Sequence, residues 1–304
     1  MKREFRELFC KTYQLPIKVF DSPIFESRIE SLDPIYGTFE KIKTFEKDIK
    51  KFKDIEHMMA EYNAFKERVI QNIKSKPGYD RLINGDMRAY TIPNLQAKKQ
   101  HLYKPEHDGQ YFLGFDLIQA NFNAVKFFDP EILDLKDTYE DFISQFTNVQ
   151  SFIDSKYVRQ VIFGACNPGR QILIEKFLMY YVYQEIMKSY TNDDICHLSE
   201  DEIVLKVKED KPLEERILAI AEKHGFKIRV EKYKLVKVSG CDAYFKVFKD
   251  NSFKLKCANP LVAPFIARAI NDDPVEEYDK YFIYEGYLSV LKEHPQIYVP
   301  LLKY

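Results

Sequence analysis

The sequence predicts an α+β protein built on an antiparallel sheet with packed helices, and three observations predict it. Apolar residues recur every three to four positions over residues 41 to 76. Two short apolar stretches at 195 to 207 flank the acidic segment Leu198-Ser199-Glu200-Asp201-Glu202, and alternating runs follow one another from 226 to 256. The first period is that of a helix, whereas the other two belong to strands joined by tight turns.

The stripe over 41 to 76 lines up Ile42, Phe45, Ile49, Phe52, Ile55, Met59, Tyr62, Phe65, Val69 and Ile73, as one long helix or a helical hairpin would, and Pro77-Gly78 stops it. Its other face is rich in lysine and arginine, which reads either as solvated surface or as a nucleic-acid contact. Residues 111 to 117 read as a buried strand ending at Asp116, followed by a helix over 121 to 128 that stops near Pro130. Asp154 or Ser155 caps a helix reaching about Gly164, Asn167-Pro168-Gly169 turns the chain, and 171 to 190 forms a long, largely buried helix. The acidic hairpin follows, then a helix over 214 to 224 ended by Gly225. Strands are expected at 227 to 233, 235 to 238 and 243 to 248, with a fourth at 253 to 257. The apolar runs at 261 to 270 and 281 to 291 are expected to form two helices. This order places helices on one face of an antiparallel sheet.

Composition narrows the function. A chain of 304 residues with 45% hydrophobic content can bury one sizeable core or two small ones, which argues against disorder. Lys plus Arg (46) nearly cancels Asp plus Glu (47), so a polyanionic partner has to be met by a local basic surface. The five cysteines (Cys10, Cys166, Cys196, Cys241, Cys257) are scattered without a C-x-x-C pair, which fits a reducing, intracellular compartment and no zinc site. Charges interrupt the longest apolar run, 172 to 187, and the N-terminus opens on charged residues, so neither a membrane span nor a signal peptide is expected. No G-x-x-x-x-G-K-[ST], G-x-S-x-G, H-E-x-x-H or G-x-G-x-x-G pattern occurs.

Two carboxylates stand out. Phosphoryl transfer from a nucleoside triphosphate uses two divalent ions, one activating the attacking hydroxyl and one neutralising the leaving pyrophosphate. Asp116 at a strand end and Asp201 in an acidic turn are hard oxygen donors of the kind Mg²⁺ requires, and Glu202 adds a third carboxylate beside them.

Four segments in the same order resemble the A-family DNA polymerases, the relatives of bacterial DNA polymerase I. Arg88 with Pro93-Asn94-Leu95-Gln96 is similar to the family's arginine and P-N-L-Q, which touch primer and template. Asp116-Leu117-Ile118-Gln119-Ala120-Asn121 resembles motif A, D-Y-S-Q-I-E; Arg159 through Phe163-Gly164 resembles motif B, K-x-x-N-F-G; and Glu200-Asp201-Glu202 resembles motif C, H-D-E. The resemblance implies a palm-like catalytic core over 81 to 257 with minimal fingers at about 150 to 190. A thumb-like helical region over 1 to 80 precedes it, and a helical extension over 258 to 304 follows.

The resemblance also implies roles. Asp116 and Asp201 would hold two Mg²⁺ ions, with Mn²⁺ as the alternative, and Asp116, Asp201 and Glu202 would form the catalytic set. Arg159, Lys156, Phe163 and Asn121 would meet the nucleoside triphosphate, with Phe163 stacking on it. Arg88, Asn94, Gln96, Lys98 and Lys99 would meet a DNA or RNA primer–template. Departures are equally visible: Asn121 replaces the glutamate that excludes a ribose hydroxyl, Arg159 replaces a lysine, Ser155 stands where an arginine is expected, Asn167 replaces a tyrosine, and Glu200 replaces a histidine. Only 38 positions separate Phe163 from Asp201, fewer than the family uses. Three readings follow: a compact polymerase or nucleotidyltransferase of DNA replication, a degenerate palm that binds nucleic acid without catalysis, and a structural or interaction module.

Overall fold

The computed structural model describes residues 1–93, 101–207 and 212–304. The N-terminal third is helical: α1 (Arg3–Tyr13), α2 (Ile24–Tyr36), α3 (Thr38–Ile49), α4 (Ile55–Ser75) and α5 (Pro77–Asn84). The apolar stripe over 41 to 76 is therefore divided between two helices, α3 and α4, and is not one long helix. Asp54 makes the break by capping α4, its side chain accepting from the His57 N–H at 2.8 Å. Pro77 ends α4 and at once occupies the first turn of α5, where its missing N–H costs nothing.

The first strand, β1 (Tyr111–Leu117), leads into α6 (Ala120–Phe128) and the short α7 (Tyr139–Ile143), α8 (Gln150–Ile153) and α9 (Lys156–Gly164). Ser155 caps α9 by accepting from Val158 N–H, and Asn167 caps α10 (Pro168–Ile186). The hairpin β2 (Ile195–Leu198) and β3 (Glu202–Lys206) comes next, then α11 (Leu213–His224), β4 (Ile228–Lys237), β5 (Tyr244–Phe248) and β6 (Phe253–Lys256). The expected strands at 227 to 233 and 235 to 238 are one continuous strand, because nothing at position 234 breaks the extended backbone.

The chain ends in α12 (Ala263–Asn271) and a separate hairpin of β7 (Tyr281–Tyr284) and β8 (Tyr287–Val290). This hairpin corrects the second C-terminal helix expected from the sequence. Glu285 and Gly286 both take positive φ, 47° and 84°, the two-residue turn that matches strand twist, and the aromatic and β-branched residues beside it favour strands.

Six strands form one antiparallel sheet in the order β2-β3-β1-β4-β5-β6. Alternation divides each strand between two faces. Leu113, Phe115 and Leu117 of β1 join Ile203 and Leu205 of β3 in the large core shared with the helices. Phe112, Val204, Tyr233, Leu235 and Tyr244 point the other way into a small cluster with Leu102 and Tyr103. The sheet thus has one face packed against the α-helices in the large core and an opposite face on which Phe112, Val204 and Tyr233 are buried in the small cluster. Among the described residues no helix is long and apolar enough to cross a membrane.

The helical third is tied to the rest through Asp48, which is buried. Its Oδ2 accepts from Ser151 N–H at 2.7 Å, and its Oδ1 accepts from Lys51 Nζ at 2.7 Å. Replacing Asp48 by Ala strands a buried N–H, and the expected loss is about 2–3 kcal/mol in urea denaturation. Lys51→Ala, at the exposed end of the pair, is expected to cost under about 1 kcal/mol. Equal effects from the two variants would contradict this assignment.

Candidate functional site

β1 sits inside the sheet, and Asp116 lies one residue from its end. Directly opposite it stand Glu202 on β3 and Arg229 on β4. Residues opposite one another in antiparallel strands share a face, so these three form one row on the side of the sheet turned away from the large core. The next rows bring Glu231 and Tyr233 from β4, Lys246 from β5 and Lys254 from β6 to that side.

Each acid in this array meets a base. Arg229 donates through Nε to Asp116 Oδ2 at 3.2 Å and through Nη2 to the same oxygen. Arg229 Nε also lies 3.6 Å from Glu231. Lys246, with 4% of its side chain exposed, places Nζ 3.4 Å from Glu202 and 3.6 Å from Glu231, and 4.4 Å from the centre of the Tyr233 ring. Lys254 donates to Glu231 at 2.6 Å. Burial pushes the Glu231 carboxyl up, but Lys254, Lys246 and Arg229 outweigh it and hold the group below its usual range. Lys256 is pushed down by burial and by repulsion from Lys246 and Lys254, the mark of crowded cations.

Asp201 belongs to the other side. Its carbonyl accepts the Leu117 N–H at 2.9 Å, which puts it opposite Leu117 and, by alternation, toward the helices. Its carboxylate accepts from Ser199 Oγ at 2.9 Å, and Ser199 Oγ accepts from Glu202 N–H at 2.9 Å, which fixes the tight turn. Behind it Glu175 of α10 is buried, and its carboxyl is pushed up to about 7 by burial and by the charges of Asp201 and Glu200. The acidic turn and the Asp116 end of β1 are thus adjacent in backbone, while Asp116 and Asp201 present their carboxylates to different neighbours.

Arg159 lies on α9 and packs against Tyr139. Its guanidinium stands 5.5 Å from the centre of the Tyr139 ring, and its Nε is buried without a hydrogen-bond partner. Burial lowers its pKa, and the nearby charge of Arg229 lowers it further, against Tyr139 and Glu140, which raise it. Gln119 donates to Glu140 at 2.6 Å.

The other expected site residues are spread out. Lys156 is exposed in the first turn of α9, and Asn121 accepts from Phe122 N–H at 2.9 Å where α6 begins. Phe163 corrects the expected stacking role: it is fully buried, with its ring 6.1 Å from Phe122 and 6.4 Å from Tyr139, so no face is open to a base. Ser155 is also buried, spent on capping α9 and on donating to the Thr12 carbonyl. Arg88 is exposed and paired with Asp86 at 2.6 Å. Asn94, Gln96, Lys98 and Lys99 lie outside the described residues.

The donor chemistry of Asp116, Asp201 and Glu202 suits a divalent ion, but their arrangement here does not. Arg229 takes Asp116, Lys246 takes Glu202, and Asp201 turns to Ser199. Among the described residues no group of three His, Cys, Asp or Glu side chains is placed to hold a metal. No family model, curated protein or solved structure matches the chain.

Arg229, Glu231, Lys246 and Glu175 were not singled out by the sequence. Lys246 had left a visible signal, a lone cation inside the apolar run Tyr244-Phe245-Lys246-Val247-Phe248. Glu175 generates a pH prediction. The folded chain keeps it protonated to about 7 while the unfolded chain releases the proton near 4.5, so its contribution to stability falls as pH rises through that window. Against Glu175→Gln, wild type is expected to match near pH 4.5 and to be less stable by on the order of 3 kcal/mol above pH 8, read from urea midpoints. A gap that does not change with pH would rule this out.

Proposed function

We propose that the chain is a palm-like nucleic-acid protein that adds nucleotides to a primer 3′ end, acting on DNA or RNA primer–template and nucleoside triphosphates. One observation carries this reading: the acidic β2–β3 turn is hydrogen-bonded to the Asp116 end of a neighbouring antiparallel strand, through Leu117 N–H to the Asp201 carbonyl at 2.9 Å. Phosphoryl transfer needs a rigid floor on which carboxylates from two strands are held close, and the pairing of Asp116 with Glu202 across β1 and β3 supports this reading. Arg159 on α9, a half-buried guanidinium with no carboxylate paired to it among the described residues, supports a role in meeting phosphate. The Mg²⁺ or Mn²⁺ ions that such chemistry uses belong to this reading only once Arg229 has left Asp116.

A second reading, a palm that binds nucleic acid without catalysis, is favoured by the same Arg229–Asp116 pair, because an acid neutralised by arginine is not available to a metal. The two readings separate in a primer-extension assay with labelled primer–template, Mg²⁺ or Mn²⁺, and dNTPs or NTPs. The first expects extension that the Asp116→Asn, Asp201→Asn double variant abolishes, a loss of at least about a hundredfold. No extension under any combination, from protein with an intact fold, would overturn it. The second expects binding that the double variant leaves intact and that weakens linearly in log salt, with a slope of about −0.9 per phosphate contacted on duplex DNA.

A further inference from the structure

α2 and α3 meet at Gly37 and leave a groove between them that Met1 borders. Phe25 and Ile29, one turn apart on α2 and buried, make its floor. Ile42 and Phe39 of α3 make the opposite wall, and Phe39 is 50% exposed. The groove holds about 310 Å³, at the small end of the roughly 300–1,000 Å³ of ligand clefts. Its shape is set by the corner between the helices: Gly37 takes a φ of 58°, Thr38 Oγ donates to the Ile29 carbonyl at 2.5 Å, and Asp33 Oδ1 accepts from Phe39 N–H at 2.8 Å. An exposed aromatic held beside an apolar floor, with a polar rim around both, marks a contact surface.

The rim is acidic. Glu26 and Glu30 of α2 and Glu46 of α3 line it. Arg6 answers Glu26 at 2.9 Å, but Glu30 and Glu46 are exposed and have no hydrogen-bond or ion-pair partner among the described residues. Two uncompensated carboxylates thus stand on opposite walls of an apolar groove, and a cation seated along it is attracted by both. The backbone narrows the occupant further. Both walls are helices whose interior N–H and C=O groups already bond one another, so the groove has no edge to pair with an extended strand. A helix satisfies its own backbone and needs only side-chain contacts.

We propose that this groove docks a cationic amphipathic helix of a partner protein. Its apolar residues, spaced i, i+3 or i+4 and i+7, enter between Phe39 and the Phe25–Ile29 floor, and lysines or arginines flanking that stripe meet Glu30 and Glu46. The apolar contact supplies most of the affinity, while the acids select the charge of the partner and make association sensitive to salt. None of the groove's lining residues belongs to the β-sheet that carries Asp116, so docking here is independent of primer extension.

The probe is a fluorescein-labelled peptide of leucine and lysine, about four helical turns long and patterned as an amphipathic helix, titrated with the full chain and followed by fluorescence anisotropy. One control peptide carries glutamate for every lysine, and another carries two central prolines that break the helix. Wild type is expected to bind the probe at least about tenfold more tightly than either control. Affinity for the probe is expected to fall at least about tenfold in Glu30→Lys, Glu46→Lys and at least about fivefold in Phe39→Ala, a change at an exposed side chain that leaves the core intact. Glu67→Lys, Glu222→Lys makes the same change of charge at exposed positions of α4 and α11 and is expected to stay within about twofold of wild type. Circular dichroism confirms the fold of each variant.

No binding of the probe by wild type, equal binding of either control peptide, or equal losses in the two charge-reversed pairs overturns the proposal. Dimerisation in sedimentation that Phe39→Ala abolishes, without binding of the probe, also overturns it and gives the groove to a second copy of the chain.

Discussion

The arrangement depends on the register of three antiparallel strands. With Asp116 opposite both Glu202 and Arg229, one row across the sheet carries an acid, an acid and a base on the same face. A slip of one residue in either pairing would send Asp116 to the side opposite its present neighbours and take Leu113, Phe115 and Leu117 out of the large core. The buried sets on both faces resist that slip: Leu113, Phe115 and Leu117 on the helix side, and Phe112 with Val204 and Tyr233 on the other. The same apolar alternation that builds the core therefore also aims the charges.

The face turned away from the large core is electrically balanced. Asp116, Glu202 and Glu231 alternate with Arg229, Lys246 and Lys254, and Lys256 adds a cation whose charge is disfavoured by its neighbours. Such an array keeps each donor occupied until something competes for one of them. Behind the sheet the balance differs. Asp201 and Glu200 lie near Glu175, a buried acid whose carboxyl is pushed up to about 7 by burial and by their charges, while Lys176 pairs with Glu200 at 3.6 Å. The two carboxylates linked by the resemblance to A-family polymerases thus sit in opposite electrical surroundings.

Much of the fold was legible because its signals are local. Ser155 and Asn167 cap helices where short polar residues precede periodic apolar runs, and the Ser199-Glu200-Asp201 turn follows from two strand-like stretches set close together. The hairpin at 281 to 290 was misread because a short apolar run without clear alternation does not distinguish helix from strand, and the Glu285-Gly286 turn inside it carried the deciding information. The expected strands at 227 to 233 and 235 to 238 are one strand, β4, through which the extended backbone continues. Of the site, Asp116 and the acidic turn were legible as residue types at strand ends. Their partners were not: Arg229 and Lys246 meet acids more than 40 positions away, and only strand register decides which charges face each other. Phe163 shows the converse, since an aromatic that matches a motif is still claimed by the core when its face points there.

The account stands on Arg229 rather than a divalent ion being the cation at Asp116 in the free chain. Anomalous diffraction at the manganese edge, from crystals of the protein soaked in MnCl₂ without nucleotide or nucleic acid, tests this directly. The prediction is no manganese between Asp116 and Asp201, with the Arg229 guanidinium on Asp116. A manganese ion bound by both aspartates, with Arg229 turned away, would contradict it.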